Sequence, residues 1–374
     1  APGLWERLKP YAFKAQQAIV RESREFHIWS LVEFLALLSV RVAAESAEKA
    51  LELAQLAVTA AEAIGGRTPW AMKLRAFAYA HLGNAYRVLM DLRKAEEAFA
   101  TFSELWKASK DVPAVLLDEA RLVAMKAALR REQRRFDDAL ELLRQAEVLD
   151  KSGDLRGVLL VSKAKTLEEA NRPEEAIAVL REAERWIDPK GDPRLTLCLR
   201  HNLLLLLIDL GSFVEADALL PEVAALARRL GNNRLDLIRL TWGEARIAAG
   251  VGDRERAITL FTQVRGEFMS RGMIFDAALV ALDLAAFYAG EGRHGEVRVM
   301  ARSLVPIFEV QGVDREALAS LAALRQAAER EAATISLIHT AAAALKRARP
   351  KVEGGVSDEK KLWAEIAEAE SHAV

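Results

Sequence analysis

The stretch AHLGNAYRVLMDLRKAEEAF, residues 80–99, decides the fold. Its first half places apolar and small residues at helical spacing, and its second half opens with charged residues followed by Ala95. A short turn that contains Asp91 separates the halves. The stretch therefore predicts two helices that fold back on each other and cross closely at Ala95, where a larger side chain would push them apart.

The same arrangement recurs along most of the chain. The small residue in the first turn of each second helix serves as a marker and returns every 37 to 45 residues, at Ala50, Ala95, Ala139, Ala176, Ala216, Ala257 and Val297. A period of this length is typical of stacked helical hairpins. One hairpin cannot bury its own apolar stripe, so neighbouring hairpins have to stabilise one another.

Residues 80–99 resemble a tetratricopeptide repeat almost position by position. The Leu82-Gly83 pair and Tyr86 match the first helix of that family, and Ala95 and Phe99 match its second. Residues 201–204 and 213–216 resemble another repeat, with Leu204 in place of the usual glycine. The resemblance covers residues 32–345. In its length and in the loose match of its repeats to the family pattern, the array is similar to the repeat segments of large bacterial regulators.

This resemblance implies an all-α, right-handed α-solenoid of about seven or eight antiparallel hairpins. In such a superhelix the first helices line a concave groove that binds a protein or peptide. We expect residues 1–31 to form a capping region, with one helix over residues 3–23, and residues 32–349 to form the array. Residues 350–374 are expected to form a linker and a short amphipathic helix around Trp363.

Composition narrows the possible partners. The chain has 53 basic and 54 acidic residues and a net charge of −1, so neither nucleic acid nor an anionic membrane is an expected partner. Cys198 is the single cysteine, which excludes a disulfide framework and favours the cytoplasm, and we expect it to fill a small space in the core. The Ala-, Leu- and Arg-rich composition is typical of a high-GC bacterium.

The sequence offers no catalytic constellation. Its six histidines are scattered without the i, i+4 pairing of a helical zinc site, and it contains no phosphate loop, dinucleotide fingerprint or nucleophile elbow. We therefore expect no enzymatic activity and no cofactor. The chain starts at Ala1 without methionine, as a processed form or a fragment would. For the protein to be an enzyme, a catalytic domain would have to precede Ala1.

Aligning the first helices by the period selects residues that face the groove of a tetratricopeptide array. The candidate binding residues are Asn84, Arg87, Arg121, Arg131, Lys165, His201, Trp242 and Arg246, together with Phe77. Acidic residues fall in the same set at Glu132, Glu168, Glu169 and Asp209. Arginine and asparagine donate directed hydrogen bonds to carboxylates and peptide carbonyls. The basic residues thus either hold an acidic segment or a terminal carboxylate, or pair with neighbouring glutamates.

Three hypotheses follow for the function. The first is a scaffold for a protein or peptide, as the sensor or assembly part of a bacterial regulator. The second is a domain that senses a small effector, in a site lined by Trp242, His201 and the groove arginines. Trp242 itself suits either the core or an exposed binding position. The third is self-association, in which residues 359–371 dock on another copy or on the last repeat.

Overall fold

The computed structural model describes residues 1–43, 46–66, 68–109, 117–231, 234–310 and 315–347. Within these ranges all regular structure is helical, which confirms the predicted all-α solenoid class. The linker and helix expected at residues 350–374 lie outside the described residues.

The helices of the described residues are numbered in chain order. The first ten are α1 (Pro2–Leu8), α2 (Phe13–Glu22), α3 (Trp29–Val42), α4 (Ala47–Ala63), α5 (Pro69–Val88), α6 (Leu92–Ala108), α7 (Glu119–Glu132), α8 (Phe136–Leu149), α9 (Arg156–Glu169) and α10 (Pro173–Ala183). The others are α11 (Pro193–Asp209), α12 (Phe213–Arg229), α13 (Arg234–Val251), α14 (Arg254–Ser270), α15 (Ile274–Gly290), α16 (His294–Val310), α17 (Arg315–Glu329) and α18 (Ile335–Arg347).

The chain divides into two compact units, with the boundary inside α11: unit 1 is Ala1–Leu199 and unit 2 is Arg200–Val374. In unit 1 the helices α3, α5, α7 and α9 contact one another in order and form a first-helix layer. The helices α4, α6, α8 and α10 each pack against their own first helix and form a second-helix layer. The predicted marker residues, from Ala50 to Val297, are all buried, as a close helix crossing requires.

A recurring turn shows the repeat in the backbone itself. Seven first helices end in a residue with left-handed φ, at Met90, Arg134, Asn171, Gly211, Gly252, Gly292 and Glu331. In each case the next N–H donates to the carbonyl five residues earlier, as from Asp91 to Tyr86 and from Arg293 to Tyr288. This is the Schellman ending of a helix, in which glycine carries no steric cost. Four of the seven positions use another residue, so a search for glycines alone finds only part of the repeat.

The last four helices of unit 2 pack as a ring. α15 contacts α16 and α18, α16 contacts α17, and α17 contacts α18. The ring is closed by α18 against α15, a contact that the period did not predict. The apolar faces of all four helices point into this bundle, with Leu284, Leu304, Leu321 and Ile338 almost fully buried.

The prediction of a single helix over residues 3–23 is wrong. α1 ends at Leu8 and α2 begins at Phe13, with Pro10 between them. Proline lacks the N–H of the helical ladder and clashes with the preceding turn, so it breaks the helix. α1 packs against α3 and α2 packs against α4.

Candidate partner-binding site

Three first helices of unit 1 carry a line of paired charges. Arg87 of α5 lies 3.5 Å from Glu132 of α7, measured from Nη1 to Oε1. On α7, Arg131 lies 3.2 Å from Glu132 and 3.6 Å from Glu169 of α9. Lys165 of α9 lies 4.0 Å from Glu169. We call these five residues the unit 1 ladder.

The ladder is anchored at one end by a buried amide. Asn84 is 7% exposed, and its Oδ1 accepts hydrogen bonds from Nε and Nη2 of Arg87 at 3.1 and 3.0 Å. This fixes the guanidinium and leaves Nη1 directed at Glu132. At the other end, Nζ of Lys165 donates to Glu168 at 2.8 Å.

The ladder is half-buried, and its electrostatics reflect this. Burial lowers the pKa of Arg87 below its usual value, against the opposing effect of Glu132. Burial also raises the pKa of Glu169, and it outweighs the nearby Arg131 and Lys165. Contacts of 3.5 to 4.0 Å are too long for good hydrogen bonds. The buried Nε of Arg131 finds no hydrogen-bond acceptor among the described residues.

A second set of charges lies on the first helices of unit 2. Arg246 of α13 donates to Asp209 of α11 at 2.7 Å and lies 3.5 Å from Asp283 of α15. The indole Nε1 of Trp242 donates to Asp283 at 2.8 Å. Burial opposes the charge of Arg246, but the two carboxylates outweigh it and raise its pKa. We call these four residues the unit 2 cluster.

Asp283 is the member of this cluster that the sequence analysis missed. Asp209, Arg246 and Asp283 follow one another at intervals of 37 residues, and so do Glu132 and Glu169. The marker spacing of 40 residues leads from Arg246 to residue 286, so only the 37-residue spacing of the charged residues finds Asp283. The sequence allowed Trp242 to lie either in the core or in an exposed binding position, and the structure places it between the two. Its side chain is half-buried, and its ring meets Phe268 edge-on at 5.9 Å.

The remaining candidates lie apart from these sets. Arg121 is exposed in the first turn of α7 and pairs with Asp118 at 3.3 Å, about three turns from Arg131. His201 is half-buried on α11, about two turns before Asp209. Phe77 does not line a groove, because it is buried in the core against the ring of His81 at 4.6 Å.

The prediction that Cys198 fills the core is also wrong. Its side chain is exposed on α11, whereas Leu199 beside it is buried. The apolar run that follows, Leu203 to Ile208, supplies enough side chains for the core without it. In a helix this apolar throughout, the sequence pattern does not say which face points inward.

Among the described residues no three histidine, cysteine, aspartate or glutamate side chains gather as a metal site would require. No helix in the described part of the chain is long and apolar enough to cross a membrane.

Solved structures of similar fold exist at low sequence identity. A Rap protein complexed with competence and sporulation factor is 13% identical, with a TM-score of 0.52 over 91% of this chain and 99% of that one. Aspartyl phosphate phosphatase F from Bacillus subtilis is 14% identical, with a TM-score of 0.52 over 80% of this chain and 70% of that one. No protein-family model matches the sequence, and no curated protein matches it. The likeness establishes the class of protein, which is an all-helical repeat solenoid.

Proposed function

We propose that this chain is a non-enzymatic scaffold that binds a polypeptide along the unit 1 ladder. The observation that carries the proposal is the geometry of the ladder: half-buried charges on three successive helices, with contacts of 3.5 and 3.6 Å between helices and 4.0 Å within α9. Half-buried groups at such distances keep hydrogen-bonding capacity that a ligand can use. An extended backbone offers both N–H donors and carbonyl acceptors at short intervals.

The charge of the ladder bears on which polypeptide it binds. Arg87, Arg131 and Lys165 are balanced by Glu132 and Glu169 of the ladder together with Glu168, the hydrogen-bond partner of Lys165. A purely acidic segment therefore gains little net attraction from this face, whereas a segment of mixed charge or a plain backbone can pair with both signs. A terminal carboxylate remains compatible with Arg87, whose orientation Asn84 fixes.

The unit 2 cluster supports the proposal less directly. Arg246 has two carboxylate partners and Trp242 has Asp283, so their polar groups are already engaged. That arrangement favours a structural role over the lining of an effector site.

A Rap protein of similar fold was solved with competence and sporulation factor bound, which is consistent with ligand binding by this class of fold. The sensor or assembly role in a bacterial regulator and the cytoplasmic location belong to the same proposal.

The test is selection of peptides from a random library against the full chain, followed by affinity measurement on two matched variants. The first variant replaces Arg87, Arg131 and Lys165 with alanine. The second replaces Arg93, Arg144 and Arg172, three ion-paired cations on the second-helix side of unit 1, with alanine. Loss of charge-assisted contacts should weaken binding about tenfold or more in the first variant only.

Equal affinities for the two variants would place the binding surface elsewhere. Failure to select any peptide, together with a thermal shift on adding small metabolites, would favour the effector-sensing alternative. Circular dichroism and the melting temperature of both variants confirm that the comparison is made on folded protein.

A further inference from the structure

A groove with a basic rim runs along α17 in unit 2. Its volume is about 950 Å³, and its floor is formed by Ala322 and Ala323, which are exposed. The opposite side of α17 is already used, because Leu321 and Leu324 are buried in the four-helix ring. The groove therefore exposes apolar side chains on a second side of α17, in addition to the side that packs in the four-helix ring.

Arginines dominate the edge of this groove. Arg325 comes from α17, Arg330 directly follows the end of that helix, and Arg302 comes from α16. Arg302 donates to both carboxylate oxygens of Glu329, from Nε to Oε1 and from Nη2 to Oε2, the latter at 2.6 Å. One acidic residue against three arginines leaves the groove with net positive charge, which distinguishes it from the balanced unit 1 ladder.

One segment of the chain has the complementary chemistry. In residues 357–371, SDEKKLWAEIAEAES, Leu362, Ile366 and Ala369 fall on one side of a helix, with Trp363 beside them. The segment carries five acidic residues, Asp358, Glu359, Glu365, Glu368 and Glu370, against two lysines. A helix of this length is marginal alone and becomes stable when its apolar side is covered.

The connection is long enough for the segment to reach the groove. Between Arg347 at the end of α18 and Leu362 lie 14 residues, which span up to about 50 Å when extended. α17 is about 22 Å long and packs against α18, so every point along it is within that reach.

We infer that residues 359–371 dock as a helix in the α17 groove of the same chain. Trp363 covers the alanine floor, where small side chains leave room for its indole, and the glutamates face Arg325 and Arg330. The contact goes beyond the proposed function, because it does not involve the unit 1 ladder. It covers the side of α17 that faces away from the four-helix ring. Covering this exposed alanine surface keeps it from water, as capping elements do in solenoids.

The test is cross-linking in the full chain with Cys198 replaced by serine. Cysteines are placed at Ala323 and Ala367 and joined by a short bismaleimide, and mass spectrometry separates linkage within one chain from linkage between chains. The control pair is Ala178→Cys with Ala367→Cys, since Ala178 is an exposed alanine on α10 of unit 1. We expect linkage within one chain at 323–367 that exceeds the control by about tenfold, and its loss on Trp363→Asp.

Charge exchange provides the second measurement. The double change Arg325→Glu and Arg330→Glu should reduce the linkage, and adding Glu365→Arg and Glu368→Arg should restore it. Linkage only between chains would show that a second copy occupies the groove, and linkage no greater than the control would show that the segment does not dock there. Either result would overturn the inference without affecting peptide binding at the unit 1 ladder.

Discussion

His81 is a fully buried residue of α5 whose ring nitrogens form no hydrogen bond of good geometry among the described residues, although the Ala36 backbone is close enough to oppose the pKa shift slightly. Burial, assisted by Arg121, lowers its pKa to about 3. The folded state therefore holds the neutral ring, while the unfolded chain takes up a proton near pH 6.5. Its contribution to stability is complete above pH 6.5 and is lost progressively as the pH falls towards 3.

We expect the free energy of unfolding to fall by about 2 kcal/mol between pH 7 and 5 because of this one residue. His81→Leu should remove that part of the pH dependence, and urea titrations at several pH values would measure it. The exposed His339 is the control, since its replacement by glutamine leaves the buried ring in place. An unchanged slope in His81→Leu would mean that another group carries the acid sensitivity.

Two glutamates on the first unit have opposite pKa shifts and form a matched pair. Glu96 binds Arg130 and Gln133, and the Arg130 guanidinium lowers its pKa to about 2. Its stabilising contribution is present above pH 4.5 and is lost as the pH falls towards 2. Glu169, by contrast, has a raised pKa because burial disfavours its charge.

Glu96→Gln should therefore lower the free energy of unfolding at pH 7 by about 1 kcal/mol, a modest value because the carboxylate is 41% exposed. Glu169→Gln should cause no loss, since it removes a charge that the folded state disfavours. Thermal unfolding at pH 7 and pH 3 compares the two, and a larger loss for Glu169→Gln would contradict the assignment of the ladder as incompletely paired.

At the level of the helices, the Schellman turns give a sharper test of the repeat than its side chains do. Glu331 and Gly292 occupy equivalent positions, with φ of 55° and 71°. A side chain at this φ costs about 1 kcal/mol, and a Cβ added at Gly292 meets nothing within 4 Å. Glu331 would lose a weak ion pair with Arg298, at 3.7 Å.

Glu331→Gly should therefore stabilise unit 2 by up to about 1 kcal/mol, and Gly292→Ala should destabilise it by a similar amount. Chemical denaturation of the two variants provides the measurement. Changes of the same sign would mean that side-chain contacts, rather than backbone conformation, decide the stability of these turns.

The helices also show what the sequence could and could not predict. Ala95 and its equivalents located the seven hairpins from α3/α4 to α15/α16, because a close crossing tolerates only small side chains and that requirement is local. They did not locate the hairpin of α17 and α18. The pairing of Arg131 with Glu169 was left open because it depends on how far one helix is offset along its neighbour, which the period does not specify. The contact of α18 with α15 was missed for the same reason, since a repeat length does not select the distant helix that a hairpin meets.

Over the whole molecule, the repeat architecture predicts that each hairpin is stabilised mainly by the hairpins next to it. Each hairpin of unit 1 packs mainly on the next, so a local defect should weaken its neighbours more than remote helices. Phe99 and Phe261 are core residues of α6 and α14 and are almost fully buried. Replacing either with alanine removes a large aromatic ring and should cost about 3 to 5 kcal/mol locally.

Hydrogen exchange then distinguishes a chain of coupled hairpins from one cooperative block. Phe99→Ala should speed amide exchange most in α5 to α7 and least in α15 and α16, and Phe261→Ala should give the reverse gradient. The two variants act as controls for each other because the same side chain is removed from equivalent helices. Equal acceleration along the entire chain in both variants would show a single two-state transition, in which case the hairpins could not rearrange separately when a partner binds.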